Sequence, residues 1–258
     1  MFDFVGKKHW FLIASAIIIL AGVISMVIPG GLKLGIDFKA GISANLVSDD
    51  PENPISLEDV KGVLDNRSDL DYSVQELAGG EFFIRAGELS SEEQSALESD
   101  LGGLGGTIDK FKSVSAAIAS ETIRNAAIAV GAAAIAILLY ITWAFRKMPS
   151  PFRYGVCTII ALAHDVLIVL GIFSFLGRTL NWEIDPMFVV ACLAVIGYSV
   201  NDTIVVFDRL RENLPKGTAG DFGSTVNLSI TGTLSRSLNS SITTLLAVLA
   251  VYLFVGGE

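Results

Sequence analysis

Hydrophobic residues are concentrated in five long runs, and polar residues fill the segments between them. The runs cover residues 11–29, 126–145, 154–177, 186–207 and about 230–255. A bilayer core about 30 Å thick is crossed by roughly 20 apolar helical residues, so each run is long enough to span a membrane. The first run is too long and too apolar for a secretory signal peptide and lacks a clear small-x-small cleavage site. The pattern therefore predicts five membrane-spanning helices, the first of them retained.

In the segment between the first two runs, residues 35–118, hydrophobic and polar residues alternate over the short distances typical of a soluble α+β domain. Strand patterns occur at 41–48, 72–77, 81–87 and 106–115, with a hairpin turn predicted at Ala78-Gly79-Gly80. Ser56 and Ser90 are positioned as N-caps of two helices, over 56–66 and 90–101. The order β-α-β-β-α-β is that of the ferredoxin-like split βαβ motif. We therefore expect a small ferredoxin-like domain joined to a membrane α-helical bundle.

Composition and charge support a membrane protein and indicate its orientation. Hydrophobic residues make up 52% of the chain, and the mean hydropathy of +0.59 exceeds that of ordinary globular domains. The net charge of −9 is unevenly spread, because residues 33–112 hold 17 acidic and seven basic side chains. Basic residues instead flank the spans, at Lys7, Lys8, Arg146, Lys147, Arg153, Arg209, Arg211 and Lys216. The positive-inside bias predicts that these segments and the N-terminus are cytoplasmic and that the acidic domain is extracytoplasmic.

The residue types of common enzyme sites are missing from the acidic domain. The chain has two histidines, His9 and His164, and neither falls within residues 35–118. The domain also has no phosphate loop, metal-ligand cluster or nucleophile constellation, so we expect no enzymatic activity. Cys157 and Cys192 lie inside predicted spans and are interpreted as small packing residues. The acidic surface is either a solvated face or a binding module for an extended polypeptide, which can add to a sheet edge.

Ionisable side chains interrupt three of the predicted spans: Asp165 beside His164, Asp202, and Arg236. Charged groups in a bilayer are costly and usually face a partner or a water-filled path, so each is a candidate for function. At about 1.5 Å per residue, Asp202 lies roughly 8 Å and Arg236 roughly 9 Å from the cytoplasmic ends of their spans. These matching depths predict an ion pair between them. A carboxylate whose pKa responds to a movable cation suits a proton relay.

Hydroxyl and amide residues extend these positions into polar stripes. At 100° per residue, Asp202 shares a helix face with Ser199 and Thr203. Arg236 shares a face with Asn239, Ser240 and Thr243. The alternative to a relay is that the hydroxyl residues form interhelical hydrogen bonds that hold the bundle together. Asn201 is about 100° from Asp202 and is interpreted as orienting a neighbouring span. His164 has three open roles: it titrates, it orients Asp165, or it packs.

Four blocks of the sequence resemble a known family. They are "GIDFKAG" (35–41), "ALAHDVLIVLGIF" (161–173), "YSVNDTIVVFDR" (198–209) and "TLSRSLNSS" (233–241). In residues and order they are similar to SecF, the smaller half of the SecDF protein-export pair of the RND superfamily. The likeness covers nearly all of the membrane part, whereas the soluble domain is similar in placement and size more than in residues. Ala40 departs from the pattern, because the family usually has glycine there.

The resemblance implies an RND-like bundle with an extracytoplasmic domain, divided into residues 1–34, 35–118 and 119–258. It implies a non-enzymatic subunit in the lipid of the cell membrane that works with SecD and the SecYEG channel. Such a subunit uses the proton gradient to promote export of a translocating polypeptide; protons are the coupling ion, and neither a cofactor nor nucleic acid is involved. The family's proton-path carboxylate falls on Asp202 and its essential arginine on Arg236. Six spans are expected in the family, so a chain with five is interpreted as C-terminally truncated.

Two other functions are compatible with the same residues. An RND-type exporter of small molecules or lipids has this bundle, although such exporters usually carry two large outer domains on a longer chain. A purely structural subunit of the translocon is the second alternative. In that case, Asp202 and Arg236 contribute only to stability.

Overall fold

The computed structural model describes residues 3–50, 54–67, 70–77, 80–217 and 220–254. Its helices are α1 Lys8–Val27, α2 Ile36–Lys39, α3 Leu57–Asp65, α4 Ser91–Gly102, α5 Ala116–Ala144, α6 Pro151–Thr179, α7 Pro186–Asn213 and α8 Phe222–Phe254. Its strands are β1 Gly41–Ser48, β2 Tyr72–Glu76, β3 Glu81–Ala86 and β4 Gly106–Val114. The chain forms two compact units: an α+β unit of Leu32–Ala129 with Glu183–Val189, and a helical unit of the remaining described residues.

The α+β unit is built on a four-stranded antiparallel sheet with the strand order β2-β3-β1-β4. Because α3 follows β1 and α4 follows β3, the predicted ferredoxin-like fold is confirmed. Every second residue of β3 is buried, as expected for a strand with one face on the core. The core is formed by Ile42, Leu46, Val60, Leu64, Phe82, Ile84, Leu97 and Leu101. Ala78 and Gly79 of the predicted hairpin turn lie outside the described residues.

Both longer helices of this unit begin at the serines predicted as N-caps. Ser56 Oγ accepts a hydrogen bond from the backbone N–H of Asp59 at 3.2 Å, and Ser90 Oγ accepts one from that of Glu93 at 3.3 Å. The carboxylates of Asp59 and Glu93 accept bonds in return from the two serines, which completes a capping box at each helix. Hydrogen bonds from the Ser90 hydroxyl and then its backbone N–H hold the pKa of Glu93 below its ordinary value.

Backbone hydrogen bonds attach the segment before α7 to the α+β unit. Gly35 N donates to Ile184 O and Ile184 N donates to Lys33 O, both at 2.8 Å. Asp185 then caps α7, because its Oδ1 accepts a hydrogen bond from Phe188 N at 2.8 Å. The first turn of α7 is thus part of this unit.

Glu183, in the same segment, forms an ion pair with Arg85 of β3. The guanidinium carbon of Arg85 also lies 4.5 Å from the centroid of the Phe83 ring. Burial raises the pKa of the Glu183 carboxyl and lowers the pKa of the Arg85 guanidinium, and each partner's charge opposes the other's shift. Because each charge compensates part of the desolvation of the other, the pair is stable only when both members are present.

The chain enters β1 through two residues with positive φ. Ala40 has φ 62° and ψ 158°, and Gly41 has φ 130°. A Cβ on Gly41 would lie 2.4 Å from the carbonyl oxygen of Ala86, so only glycine fits there. Ala40 adopts a conformation that glycine adopts at a lower energy.

Five helices, α1 and α5 to α8, are long and apolar enough to cross a membrane, as judged over the described part of the chain. Several extend beyond the apolar runs: α5 begins at Ala116 and α8 at Phe222, whereas the runs begin at 126 and near 230. Hydropathy marks only the part of a helix that lipid would surround, whereas the i to i−4 hydrogen bonds continue through polar residues at the ends. The earlier start of α8 changes the level assigned to Arg236.

Helices α1 and α6 pack with their backbones in contact. Gly22 lies opposite Gly171, and a Cβ on Gly22 would be 2.9 Å from the Cα of Gly171. Near this contact, Ser25 Oγ and Ser174 Oγ share a hydrogen bond of 2.8 Å. Small residues let membrane helices approach closely, and hydroxyl pairs add polar contacts between them. The two helices are therefore matched in shape along one face.

Candidate functional site

Polar side chains from α1, α6 and α7 form a continuous hydrogen-bonded chain inside the helical unit. His164 Nδ1 lies 2.8 Å from Asp165 Oδ1, and Ser199 Oγ donates to Asp165 Oδ2 at 2.5 Å. On the other side of the imidazole, His164 Nε2 is hydrogen-bonded to Ser15 Oγ. We call these four residues, Ser15, His164, Asp165 and Ser199, the hydrogen-bonded chain. It links three membrane-spanning helices through one imidazole and one carboxylate.

The side chains of the hydrogen-bonded chain are chemically suited to proton transfer. A neutral imidazole with its proton on Nδ1 donates to Asp165 and accepts from Ser15, and a protonated imidazole donates to both. The Ser199 hydroxyl can also donate and accept. Either form of the imidazole keeps its hydrogen bond to Asp165, which fits the orienting role among the three that the sequence leaves open for His164.

Asp165 and Ser199 line a cavity of about 560 Å³ between α6, α7 and α8. Asp202 lines the same cavity, and α8 contributes Ser240 and Thr244. Asp202 is half-buried and, within the ranges that the structure describes, it forms no hydrogen bond or ion pair. An unpaired carboxylate on a membrane-spanning helix thus borders a partly polar cavity, next to the hydrogen-bonded chain.

A buried hydrogen bond sets the register of α7 against α8. Asn213 Nδ2 donates to Ser229 Oγ at 3.0 Å, and both residues are buried. Asp202 lies eleven residues before Asn213, and Ser240 lies eleven residues after Ser229. Because the two helices are antiparallel neighbours, Asp202 and Ser240 lie at the same level, in agreement with the cavity that they share.

The ion pair predicted between Asp202 and Arg236 is not formed. Arg236 is exposed, and among the described residues its guanidinium has no hydrogen-bond or ion-pair partner. It precedes Ser240 by four residues, so it lies about 6 Å, or one helical turn, from the level of Asp202. The prediction assumed that the fifth span begins near residue 230, whereas the Asn213–Ser229 bond and the start of α8 at Phe222 give a different register.

The other predicted residues lie at the edge of this site or outside it. Thr203 Oγ1 donates to Ser199 O at 3.0 Å and Thr243 Oγ1 to Asn239 O at 2.9 Å, so both threonines bond within their own helices. Asn201 and Asn239 are exposed. The residues that the structure brings together are His164, Asp165, Ser199, Asp202 and Ser240.

Sequence reasoning missed Ser15, Thr244 and Asn213. Ser15 is a polar residue in the first apolar run, and its spacing to Gly22 and Ser25 places all three on one helix face. That spacing is a usable signal, as is the spacing of four residues between Ser240 and Thr244. Asn213 follows the apolar run of its helix, and no local pattern distinguishes it from a solvated residue.

Comparison with known proteins identifies relatives over nearly the whole chain. A family model described as protein export membrane protein SecD/SecF, C-terminal, matches residues 98–258. Protein translocase subunit SecF of Thermobaculum terrenum is 39% identical, with 99% of this chain and 84% of the relative aligned. The subunit of the same name from Anaerolinea thermophila is 36% identical, again with 99% of this chain and 84% of the relative aligned.

Two solved structures of SecDF resemble this fold. The crystal structure of SecDF, a translocon-associated membrane protein from Thermus thermophilus, matches 98% of this chain with a TM-score of 0.78 and 33% identity. A SecDF structure in a super-membrane-facing form matches with a TM-score of 0.62 and 31% identity. This chain spans 34% of the length of each SecDF chain. Family model, relatives and fold agree, and the chain belongs to the SecF family of protein translocase subunits.

Proposed function

We propose that this chain is an auxiliary Sec translocase subunit that uses the proton gradient to promote export of secreted polypeptides, with Asp202 as the residue that takes up and releases the proton. The observation that carries the proposal is the setting of Asp202. It is half-buried, it has no ion-pair partner among the described residues, and it borders the cavity next to Asp165 and Ser199. Ionisable residues within membrane helices are costly and mark ion and proton pathways.

Arg236 is the movable cation in this proposal. It lies one helical turn from the level of Asp202, in the register that Asn213 and Ser229 set. A shift of α8 along α7 by about 5.4 Å brings Arg236 level with Asp202, and steps of this size occur where helices repack at interfaces. Because a nearby cation changes the proton affinity of a carboxylate, the two registers give Asp202 two proton affinities.

The proposed partners are SecD, the SecYEG channel and the translocating polypeptide. The names of the SecF relatives and the translocon association of the Thermus thermophilus SecDF support this assembly. In the proposed orientation, the N-terminus is cytoplasmic and the α+β unit is extracytoplasmic, which is supported by the basic segments between the spans. Protons are the coupling ion, and we propose neither an enzymatic activity nor a cofactor.

The test replaces Asp202→Asn in the full-length chain assembled with SecD. Inverted membrane vesicles report polypeptide translocation with and without a proton gradient. We expect the gradient-dependent part of translocation to be lost in the variant, because Asn cannot exchange a proton. Asp208→Asn is the matched control, since Asp208 is on the same helix but pairs with Arg211 at 2.5 Å. Gradient-dependent translocation that survives in Asp202→Asn would exclude the proposed role.

A second measurement separates this function from a structural one. Asp202→Asn and Arg236→Gln are combined, and thermal unfolding and proton flux into vesicles are recorded. If the two residues form a proton relay, the double variant loses proton flux while its melting temperature changes little. A lower melting temperature with unchanged flux would instead assign the two residues to stability of the bundle.

A further inference from the structure

A second cavity in the helical unit lies near the first residues of α6 and α8 and the last residues of α7. Its volume is about 540 Å³, within the usual range of ligand cavities. Most of its lining is apolar and includes Phe207 and Leu210 of α7 with Phe222 and Val226 of α8. It shares no lining residue with the cavity at Asp202. An apolar group fits this environment.

The wall of this cavity is held in place by aromatic packing. The rings of Tyr154 and Phe207 meet edge to face with centroids 5.1 Å apart, and Phe145 contacts Phe207 in the same way at 5.8 Å. Phe145 and Met148 are buried, and they anchor the loop between α5 and α6. The part of the lining formed by Tyr154 and Phe207 is therefore fixed by packed side chains.

The edge of the cavity carries an unpaired positive charge. Arg153 lines the cavity and is exposed, and in the described ranges its guanidinium forms no hydrogen bond or ion pair. No carboxylate is among the residues lining the cavity. By contrast, Arg209 and Arg211 farther along α7 are paired with Glu212 at 2.7 Å and with Asp208 at 2.5 Å. Arg153 is thus a basic side chain available to an anion beside an apolar cavity.

We propose that this cavity binds one anionic phospholipid, with an acyl chain between α6, α7 and α8 and the phosphate at Arg153. An arginine forms strong, bidentate hydrogen bonds with phosphate oxygens. Basic sites between membrane helices on the cytoplasmic side bind anionic lipid headgroups. The inference rests on the membrane orientation proposed above, which puts Arg153 in the leaflet where anionic lipids are enriched.

The test is native mass spectrometry of the full-length chain with SecD, released from nanodiscs that contain equal amounts of phosphatidylglycerol and phosphatidylcholine with the same acyl chains. We expect one phosphatidylglycerol per SecF chain to be retained in preference to phosphatidylcholine. Arg153→Gln is expected to reduce that retention about fivefold, the usual effect of one basic side chain at an anionic membrane surface. Lys147→Gln is the control, because Lys147 lies in the loop just before α6 and does not line the cavity.

A second variant fills the cavity instead of removing the charge. Val226→Trp leaves Arg153 in place and occupies the position of the acyl chain, so it is expected to abolish retention of phosphatidylglycerol. The proposal is overturned if either variant retains the lipid as the unaltered protein does, or if both lipids are retained equally. It is also overturned if inorganic phosphate displaces phosphatidylglycerol, since the site would then bind a free anion. The measurement uses no proton gradient and no translocating polypeptide, so its outcome is independent of the proton-relay experiment.

Discussion

Ser199 donates a 2.5 Å hydrogen bond to Asp165 and so joins α7 to α6 at the level of the cavity that Asp202 lines. This contact is the link between the hydrogen-bonded chain and the helix that carries Asp202. It is also a contact between two helices, so its loss affects the position of Asp165 as well as the bonds that Asp165 accepts.

Replacing Ser199→Ala is expected to lower gradient-dependent translocation up to about tenfold, because a hydrogen bond typically contributes about 0.5–1.5 kcal/mol. The measurement is translocation into inverted vesicles over a range of pH. Thr203→Val is the matched control: its hydroxyl bonds only to the carbonyl of Ser199 in its own helix. An equal effect of the two substitutions would argue against a special role for the bond to Asp165.

Substituting Gly22→Ala is expected to destabilise the helical unit by about 2 kcal/mol, because the new methyl group would overlap the backbone of α6. The added Cβ would be 2.9 Å from the Cα of Gly171. Thermal unfolding in detergent measures the change. Gly131→Ala in α5 is the control, since a Cβ there meets nothing within 4 Å and the melting temperature should stay the same or rise. A stable Gly22→Ala variant would show that α1 can move away from α6 without cost.

The first turn of α4 is expected to lose protection from hydrogen exchange at acid pH, because its capping box depends on the carboxylate of Glu93. The pKa of Glu93 is lower in the folded chain than its ordinary value of 4.5, so its contribution to stability is complete above that pH and is lost as the pH falls through the folded-state pKa. Hydrogen exchange of the first turn of α4, compared with the sheet at each pH, measures this loss. In Glu93→Gln the acid-dependent part should disappear. It should persist in Glu92→Gln, because Glu92 is outside the capping box.

Ala40→Gly is expected to stabilise the α+β unit by about 1 kcal/mol, because glycine adopts positive φ without the steric cost of a Cβ. Denaturant unfolding of the full chain, followed through hydrogen exchange in β1, reports the difference. The same substitution at the exposed helical position Ala96 is the control and should destabilise by a similar amount. If both substitutions destabilise, the backbone at Ala40 is not strained.

The elements of this protein are well predicted by its sequence because their signals are local. Ser56 and Ser90 cap the helices that follow them, and the alternation of Phe82 and Ile84 marks the buried face of β3. The order of these elements then limits the sheet to a known topology. The long apolar runs likewise locate five membrane helices, although the helices continue into polar residues at their ends.

The position of one helix along its neighbour is not predicted by the sequence. Helical phase places Ser199 and Asp202 on one face, and both line the same cavity. Phase does not determine how far one helix is displaced along another, and here a single bond between Asn213 and Ser229 sets that displacement. Hydropathy gives depth to within about one turn, which is also the distance that separates Arg236 from the level of Asp202. The proton-relay role of these two residues stays a prediction until the variants are measured.

The contact of Gly22 with Gly171 gives α1 a requirement that membrane insertion alone does not impose. Many apolar segments of twenty residues would enter a bilayer in its place with similar efficiency. Few of them would have a glycine opposite Gly171 of α6. Fewer still would also carry hydroxyl groups at the positions of Ser15 and Ser25, which contact His164 and Ser174. The first helix is therefore not interchangeable with a generic membrane anchor, and chimaeras that exchange it should insert normally and yet fail to assemble.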